Sequence, residues 1–272
     1  MIKTINAMYF SATDTTKKVV SGLAREISEN MDRGTTLNTI DFTLPEVRIN
    51  AVSFSAEDLV IVGVPVYAGR FPNVLLKYLN TITGNGALAI PVVVYGNRNY
   101  DDALIELKDI LELNDFKVIA GGAFIGEHSF SITLAKNRPD EKDMSIVCNF
   151  ARQIHTKINT KEEAQAVVVN GNIPYKKHYM PKNIDGSPVD LRKVVPKTNS
   201  DCIDCKSCVN VCPMGSIDAQ DVSKIIGICI KCGACIKKCP VQAKYYDNED
   251  YLRHKKELEI QCYSRREPEL FI

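Results

Sequence analysis

Cys202-Ile-Asp-Cys205-Lys-Ser-Cys208-Val-Asn-Val-Cys212-Pro213 is answered 27 residues later by Cys229-Ile-Lys-Cys232-Gly-Ala-Cys235-Ile-Lys-Lys-Cys239-Pro240. Each run reads C-x2-C-x2-C-x3-C-P, and together they hold eight of the ten cysteines of the chain. The constant offset marks an internal duplication and predicts a pseudo-twofold arrangement. A tight loop with cysteines at every third residue delivers three thiolates from one segment, whereas a [4Fe-4S] cube needs four. The fourth has to come from elsewhere. The proline after each fourth cysteine lacks an N–H and fixes φ, so it turns the chain away from the site. Two C-x2-C pairs can also hold zinc, but zinc leaves the third cysteine of each triplet and both prolines unexplained. A disulfide scaffold fits less well, because Met1 to Phe10 lacks the order of a secretory leader and cysteines so spaced favour metal.

These runs resemble those of bacterial two-cluster ferredoxins, in which the last cysteine of each run crosses to the other cluster. The resemblance implies one cluster on Cys202, Cys205, Cys208 and Cys239, and a second on Cys229, Cys232, Cys235 and Cys212. It implies a small α+β domain over 199–272 that closes with a charged helix from Asp247 to near Glu259. Asp201, Asp204, Asp218 and Asp221 flank the first run, and Lys231, Lys237, Lys238 and Lys244 flank the second. Since nearby charge shifts cluster potentials, the cluster on Cys229, Cys232 and Cys235 is expected to be the easier to reduce. Cys262 lies outside the spacing and receives no role.

Upstream the pattern changes. Residues 2–9 alternate as a strand, and residues 15–31 carry helical periodicity through Val19, Val20, Leu23, Ala24 and Ile27. Between them Phe10-Ser11-Ala12-Thr13-Asp14-Thr15-Thr16 places hydroxyls at a helix mouth, where unpaired N–H groups suit a phosphate; plain N-capping is the other reading. Further strands are expected at 35–41, Leu59–Val64, Ile90–Tyr95 and Val118–Phe124, with helices at 71–83, 101–114 and 141–157. Alternating β and α over 1–158 predicts a doubly wound parallel sheet. Cys148 falls in the apolar pattern of the last of these helices and reads as core. Residues 159–198, with four prolines, read as a linker opening on a short strand at Val167–Val169; whether it packs or swings stays open.

Ligands of such sheets sit beyond the carboxyl ends of the strands. The loops there are Pro65-Val66-Tyr67-Ala68-Gly69-Arg70-Phe71 after the third strand and Gly96-Asn97-Arg98-Asn99-Tyr100-Asp101-Asp102 after the fourth. Tyrosines facing across a slot can sandwich a flat heterocycle, and Gly69 and Gly96 let backbone approach its edge. With the hydroxyl loop this describes a site for a phosphorylated flat ring, FMN being the obvious candidate. Residues 1–158 are similar to flavodoxins, whose three FMN loops follow the first, third and fourth strands. The resemblance implies strand order 2-1-3-4-5, Ser11, Thr13, Thr15 and Thr16 on the phosphate, Tyr67 and Tyr100 flanking the ring, and Asn97 at its edge. Flavodoxins usually have glycine where this chain has Asp14, whose carboxylate repels a phosphate unless it turns outward or caps the helix. His128, in the loop leaving the last strand, is a candidate proton donor.

The chain has 272 residues, 45% hydrophobic and 25% charged, with 34 basic against 33 acidic side chains. That balance gives no field toward nucleic acid, and there is no apolar run long enough for a membrane span. The chain resembles flavodoxin/ferredoxin fusion proteins, widespread in anaerobes. The resemblance implies a cytoplasmic electron carrier that passes electrons between two [4Fe-4S] clusters and FMN. A redox partner protein or a small-molecule acceptor would complete the circuit, and a homodimer is left open. Two other readings stand beside it: an FMN-dependent reductase of a small molecule, and a ferredoxin whose flavodoxin-like unit is flavin-free and serves for docking. No dinucleotide glycine fingerprint is present.

Overall fold

The computed structural model describes residues 2–31, 34–160, 166–183 and 185–272. Residues 161–165 and 184 of the expected linker lie outside them. In chain order the elements are β1 (Thr4–Tyr9), α1 (Thr15–Asn30), β2 (Thr36–Asp41), β3 (Asp58–Pro65), α2 (Leu76–Leu79), β4 (Leu88–Tyr95), α3 (Ala103–Leu113), β5 (Lys117–Val118), β6 (Gly121–Ile125), α4 (Glu141–Asn159), β7 (Lys197–Thr198), α5 (Ser207–Asn210), α6 (Ala234–Lys237), β8 (Lys244–Tyr245), α7 (Glu249–Gln261) and β9 (Glu269–Phe271).

The main sheet runs β2-β1-β3-β4-β6-β9, with β5 also on β4. All pairings are parallel except β6 with β9. The order 2-1-3-4-5 expected for a flavodoxin-like fold is therefore present, the expected fifth strand being β5 plus β6. Ala89 pairs Val118 and Val92 pairs Gly122, so one extra residue on the fifth strand bulges it. Period-two alternation serves two cores. Val60, Val62 and Val64 of β3 join the α3 side, whereas Leu59 and Ile61 join the side of α1 and α4. Gly63 lets α1 press on β3, since a Cβ there would meet Val20 Cγ2 at 2.2 Å.

Several expectations change. The helix over 71–83 shrinks to a turn at Asn73–Leu75 and the single turn α2. Its β-branched end instead bonds backbone to backbone, Phe54 N–H to Thr83 C=O and Thr83 N–H to Val52 C=O. Cys148 is half-buried at the α1–α4 seam and donates to Glu26 Oε2 at 2.8 Å, rather than lying in the core. The residues at 269–271, expected with the cysteine unit, form β9 on the edge of the first sheet.

The described residues of the linker are anchored at several points. Val167 and Val169 are buried in the α3-side core without forming the expected strand. Asn172 and Lys176 donate backbone N–H to the Asp102 carboxylate at 2.9 and 2.6 Å, Tyr175 hydrogen-bonds Asp109, and the Arg70 guanidinium lies 4.6 Å over the Tyr175 ring.

Candidate functional site

Each cysteine run curls round its own short helix, α5 or α6. Each helix is entered through a left-handed residue, Lys206 at φ 58° or Gly233 at φ 77°. The thiols line two cavities, one by Cys202, Cys205, Cys208 and Cys239, the other by Cys212, Cys229, Cys232 and Cys235. Each fourth cysteine thus faces the other run's triplet. Among the described residues no three His, Cys, Asp or Glu side chains converge on a single-ion site. Thiols spread around a cavity suit a cube, whose irons occupy separate corners. Backbone donors repeat with the duplication: Ser216 N–H reaches Cys212 Sγ at 3.4 Å and Ala243 N–H reaches Cys239 Sγ at 3.3 Å. Burial pushes the Cys232 thiol up to about 12, so a metal bound there would have to displace its proton.

The two cavities differ in setting. Cys205 is exposed beside Ile203, itself 63% exposed, whereas Cys232 is buried in the core that also holds Val66 and Tyr67. Burial, reinforced by the nearby Cys232 and Cys229 thiols, pushes the Tyr67 phenol well up. The second run therefore sits on the carboxyl ends of the sheet. Gly233 is pressed so close to Ser129 that a Cβ would meet its carbonyl at 2.5 Å. Lys237 Nζ pairs Glu127 Oε2 at 3.0 Å and donates to His128 C=O, and Arg48 Nη2 donates to Pro213 C=O at 2.6 Å.

At the hydroxyl loop, Asp14 takes the left-handed φ of 66° and caps nothing with its side chain. Its carboxylate turns out to Lys238 Nζ at 2.9 Å. Ser11 Oγ accepts from Lys17 N–H at 3.0 Å, and the first turn of α1 carries no acidic residue. Ser11, Ala12 and Thr16 are buried, and Thr13 and Thr15 half-buried, around this helix mouth.

The ring-side residues divide. Pro65, Val66 and Tyr67 stay half-buried under the second run; the Ala68 carbonyl accepts from Tyr179 N–H and the Gly69 carbonyl from Asp102 N–H. Asn97, only 2% exposed, donates to the Cys262 and Ser264 carbonyls at 2.6 and 2.9 Å and accepts from Arg266 N–H. Tyr100 is buried and donates to Glu269 Oε2 at 2.6 Å, Asp102 holds the linker, and Arg98 pairs Asp101 and stacks over Tyr179. Tyr100 is thus tied to the tail through Glu269. Tyr100, Asn97 and Asp102, expected at the flavin, are engaged by the chain's own tail and linker, contacts that no local pattern announces.

His128 packs on Gly96, where a Cβ would meet its Cδ2 at 2.5 Å, and its Nδ1 accepts from Phe130 N–H. Burial, with help from His254, Lys237 and Arg98, pushes its pKa down to about 3. The ring is neutral at pH 7, which does not suit the expected proton donor. Below the ordinary pKa of about 6.5 the unfolded chain takes up a proton that the folded one refuses. Stability therefore falls as pH drops through that window. His128→Gln should flatten this dependence between pH 6.5 and 5, read as urea midpoints; a parallel pair of curves would refute it.

The lysines expected to bias the second cluster have partners. Besides Lys237 and Lys238, Lys231 donates to the Cys229 carbonyl at 3.0 Å, and buried Lys244 donates to Val222 C=O. Asp204 pairs Lys206 and Asp221 pairs Lys224. Lys237 and Lys238 are thus offset by carboxylates, whereas Lys231 and Lys244, bonded to neutral carbonyls, keep their charge beside the second run.

Residues 140–257 match the family model described as a 4Fe-4S dicluster domain. An archaeal flavodoxin is 16% identical, covering 57% of this chain and 99% of its own at a TM-score of 0.40. The flavodoxin of Streptococcus pneumoniae TIGR4 is 14% identical over 57% of this chain and 99% of its own, also at 0.40. Rubredoxin:oxygen oxidoreductase of Desulfovibrio gigas is 17% identical over 60% of this chain and 37% of its own, at 0.39. No curated protein sequence matches the chain. Sheet order, cysteine cavities and the dicluster match define an iron–sulfur protein built on a flavodoxin-like α/β unit, a class that performs electron transfer. The cysteine region is thus a 4Fe-4S dicluster domain, and the sheet before it has the flavodoxin-like order, so the chain resembles a flavodoxin/ferredoxin fusion. No described helix is long and apolar enough to cross a membrane.

Proposed function

We propose that the chain carries two [4Fe-4S] clusters and FMN and passes electrons between them and an external redox partner or acceptor. The observation that carries the reading is the seating of the second cysteine run on the sheet's carboxyl ends, with Cys232, Ala234 and Tyr67 in one core. Cys202, Cys205, Cys208 and Cys239 would hold the outer cluster, and Cys229, Cys232, Cys235 and Cys212 the inner one. When bound, the clusters supply one-electron exchange and a flavin couples it to two-electron chemistry.

The fit to FMN is uneven. The mouth of α1, with Ser11, Thr13, Thr15 and Thr16, suits a phosphate, and Lys238 offsets the Asp14 charge. Tyr67 and the backbone of Ala68 and Gly69 are the ring contacts kept in the proposal; Asn97, Tyr100 and Asp102 are not. The chain's own residues dock the second run, exclude water between Tyr67 and Cys232, and neutralise charge at the phosphate loop. Anaerobic purification with iron, sulfide and released-flavin analysis tests the whole. About eight irons and one FMN support it, and eight irons without flavin, even after added FMN, leave a ferredoxin with a docking unit. Asp14→Gly should tighten FMN by on the order of 1 kcal/mol, because it removes the carboxylate and frees the Lys238 ammonium, held only in a weak exposed pair, to face the phosphate. Unchanged or weaker binding by flavin fluorescence quenching would place the phosphate elsewhere.

A further inference from the structure

The two cysteine runs share their backbone donors but not their side-chain donors. Ser216 and Ala243, which donate N–H to Cys212 and Cys239, stand 27 residues apart, as the cysteines do. Tyr246 breaks the symmetry. Its hydroxyl lies 3.7 Å from Cys229 Sγ, and the matching position in the first repeat is Ala219, which has no hydroxyl. Among the described residues the first run has only Ser207 Oγ, 3.2 Å from Cys205 Sγ, on an exposed cysteine where water competes.

The phenol is held in place. Tyr246 is 9% exposed and its ring lies 4.1 Å from that of Tyr251 on α7. Tyr251 lies 4.5 Å from Phe130, in the loop that leaves β6, and Phe130 meets His128 edge-on at 5.4 Å. A clamp of four rings therefore runs from the sulfur of an inner-cluster ligand to the flavodoxin-like unit.

We propose that Tyr246 is a positioning residue that donates its hydroxyl to Cys229 and raises the reduction potential of the inner cluster above that of the outer one. This rests on the cluster reading above. A sulfur bound to iron carries no proton, so the phenol must be the donor. Its hydrogen faces charge that reduction increases, and hydrogen bonds to cluster sulfurs favour the reduced state. Tyr251 and Phe130 keep the phenol from rotating to water, so docking of the two units sets this hydrogen bond.

The test is an anaerobic reductive titration of the full chain, followed by EPR and preceded by iron and sulfide counts, on wild type, Tyr246→Phe and Tyr251→Phe. With iron content equal, Tyr246→Phe should lower one reductive wave and leave the other in place. Tyr251→Phe, whose lost hydroxyl does not reach the sulfur, should move neither. Tyr246→Phe with both waves unmoved, both moved equally, or one moved upward overturns the assignment, as does a Tyr251→Phe shift of the same size. Wild-type protein that binds iron in neither cavity overturns the cluster reading itself, an outcome the iron count separates from the rest.

Discussion

Replacing Cys212 and Cys229 together by alanine should leave the protein with about half its iron, whereas replacing Cys202 and Cys212 together should remove nearly all of it. The logic is in the cavities. Cys212 shares a cavity with Cys229, Cys232 and Cys235, while Cys239 shares one with Cys202, Cys205 and Cys208. The first pair of substitutions then damages one site twice, and the second damages both sites once. If each run instead kept its own four cysteines, the outcomes would exchange: Cys202 with Cys212 would spare half the iron, and Cys212 with Cys229 would spare none. Iron and sulfide analysis of the two double variants decides between these arrangements without identifying which spectroscopic signal belongs to which cluster.

Arg138→Met should cost about 3 kcal/mol of stability or more. Arg138 and Asp143 have side chains only 5% and 0% exposed, and Arg138 Nε donates to Asp143 Oδ2 at 2.8 Å within a two-pronged pair. Methionine fills similar volume but leaves a buried carboxylate short of a partner. Arg265, 3.2 Å from Asp143 Oδ1, recovers part of the loss, which keeps the expectation at the lower end of the usual range for a broken buried pair. The Arg138 guanidinium also donates to the Arg266 carbonyl at 2.8 Å, so the tail should loosen with it. Urea denaturation measures the effect; a loss below about 1 kcal/mol would mean that the pair carries no more than an exposed one.

The strands β3, β4 and β6 were legible as short apolar runs bounded by polar residues, a local signal, whereas the order 2-1-3-4-5 came only from the resemblance to flavodoxins. The cysteine runs were legible because their chemistry is written in spacing. What escaped was non-local. Asn97 and Tyr100 look like ligand residues by their loop, yet they bind backbone and carboxylate more than 160 residues away. Glu269-Leu-Phe is too short to show a period, although the three apolar residues Leu270, Phe271 and Ile272 after Pro268 in a charged tail were a usable hint of an edge strand. Asp14 was legible as a problem but not as a solution, since its partner Lys238 is supplied by the other unit.

Because β9 follows the cysteine runs in the chain and yet pairs with β6, the iron–sulfur module is an insertion into the sheet and not an appendage to it. A module joined by one thread can travel like a bucket on a rope; one threaded at both ends is a handle. Its excursions are bounded by the shorter of two leashes, and a single cut in the linker would not set it free. Assembly inherits the same constraint. The rim of the sheet beside β6 waits open until residues synthesised after the second cysteine run arrive to seal it, so the sheet cannot be completed by the residues that begin it.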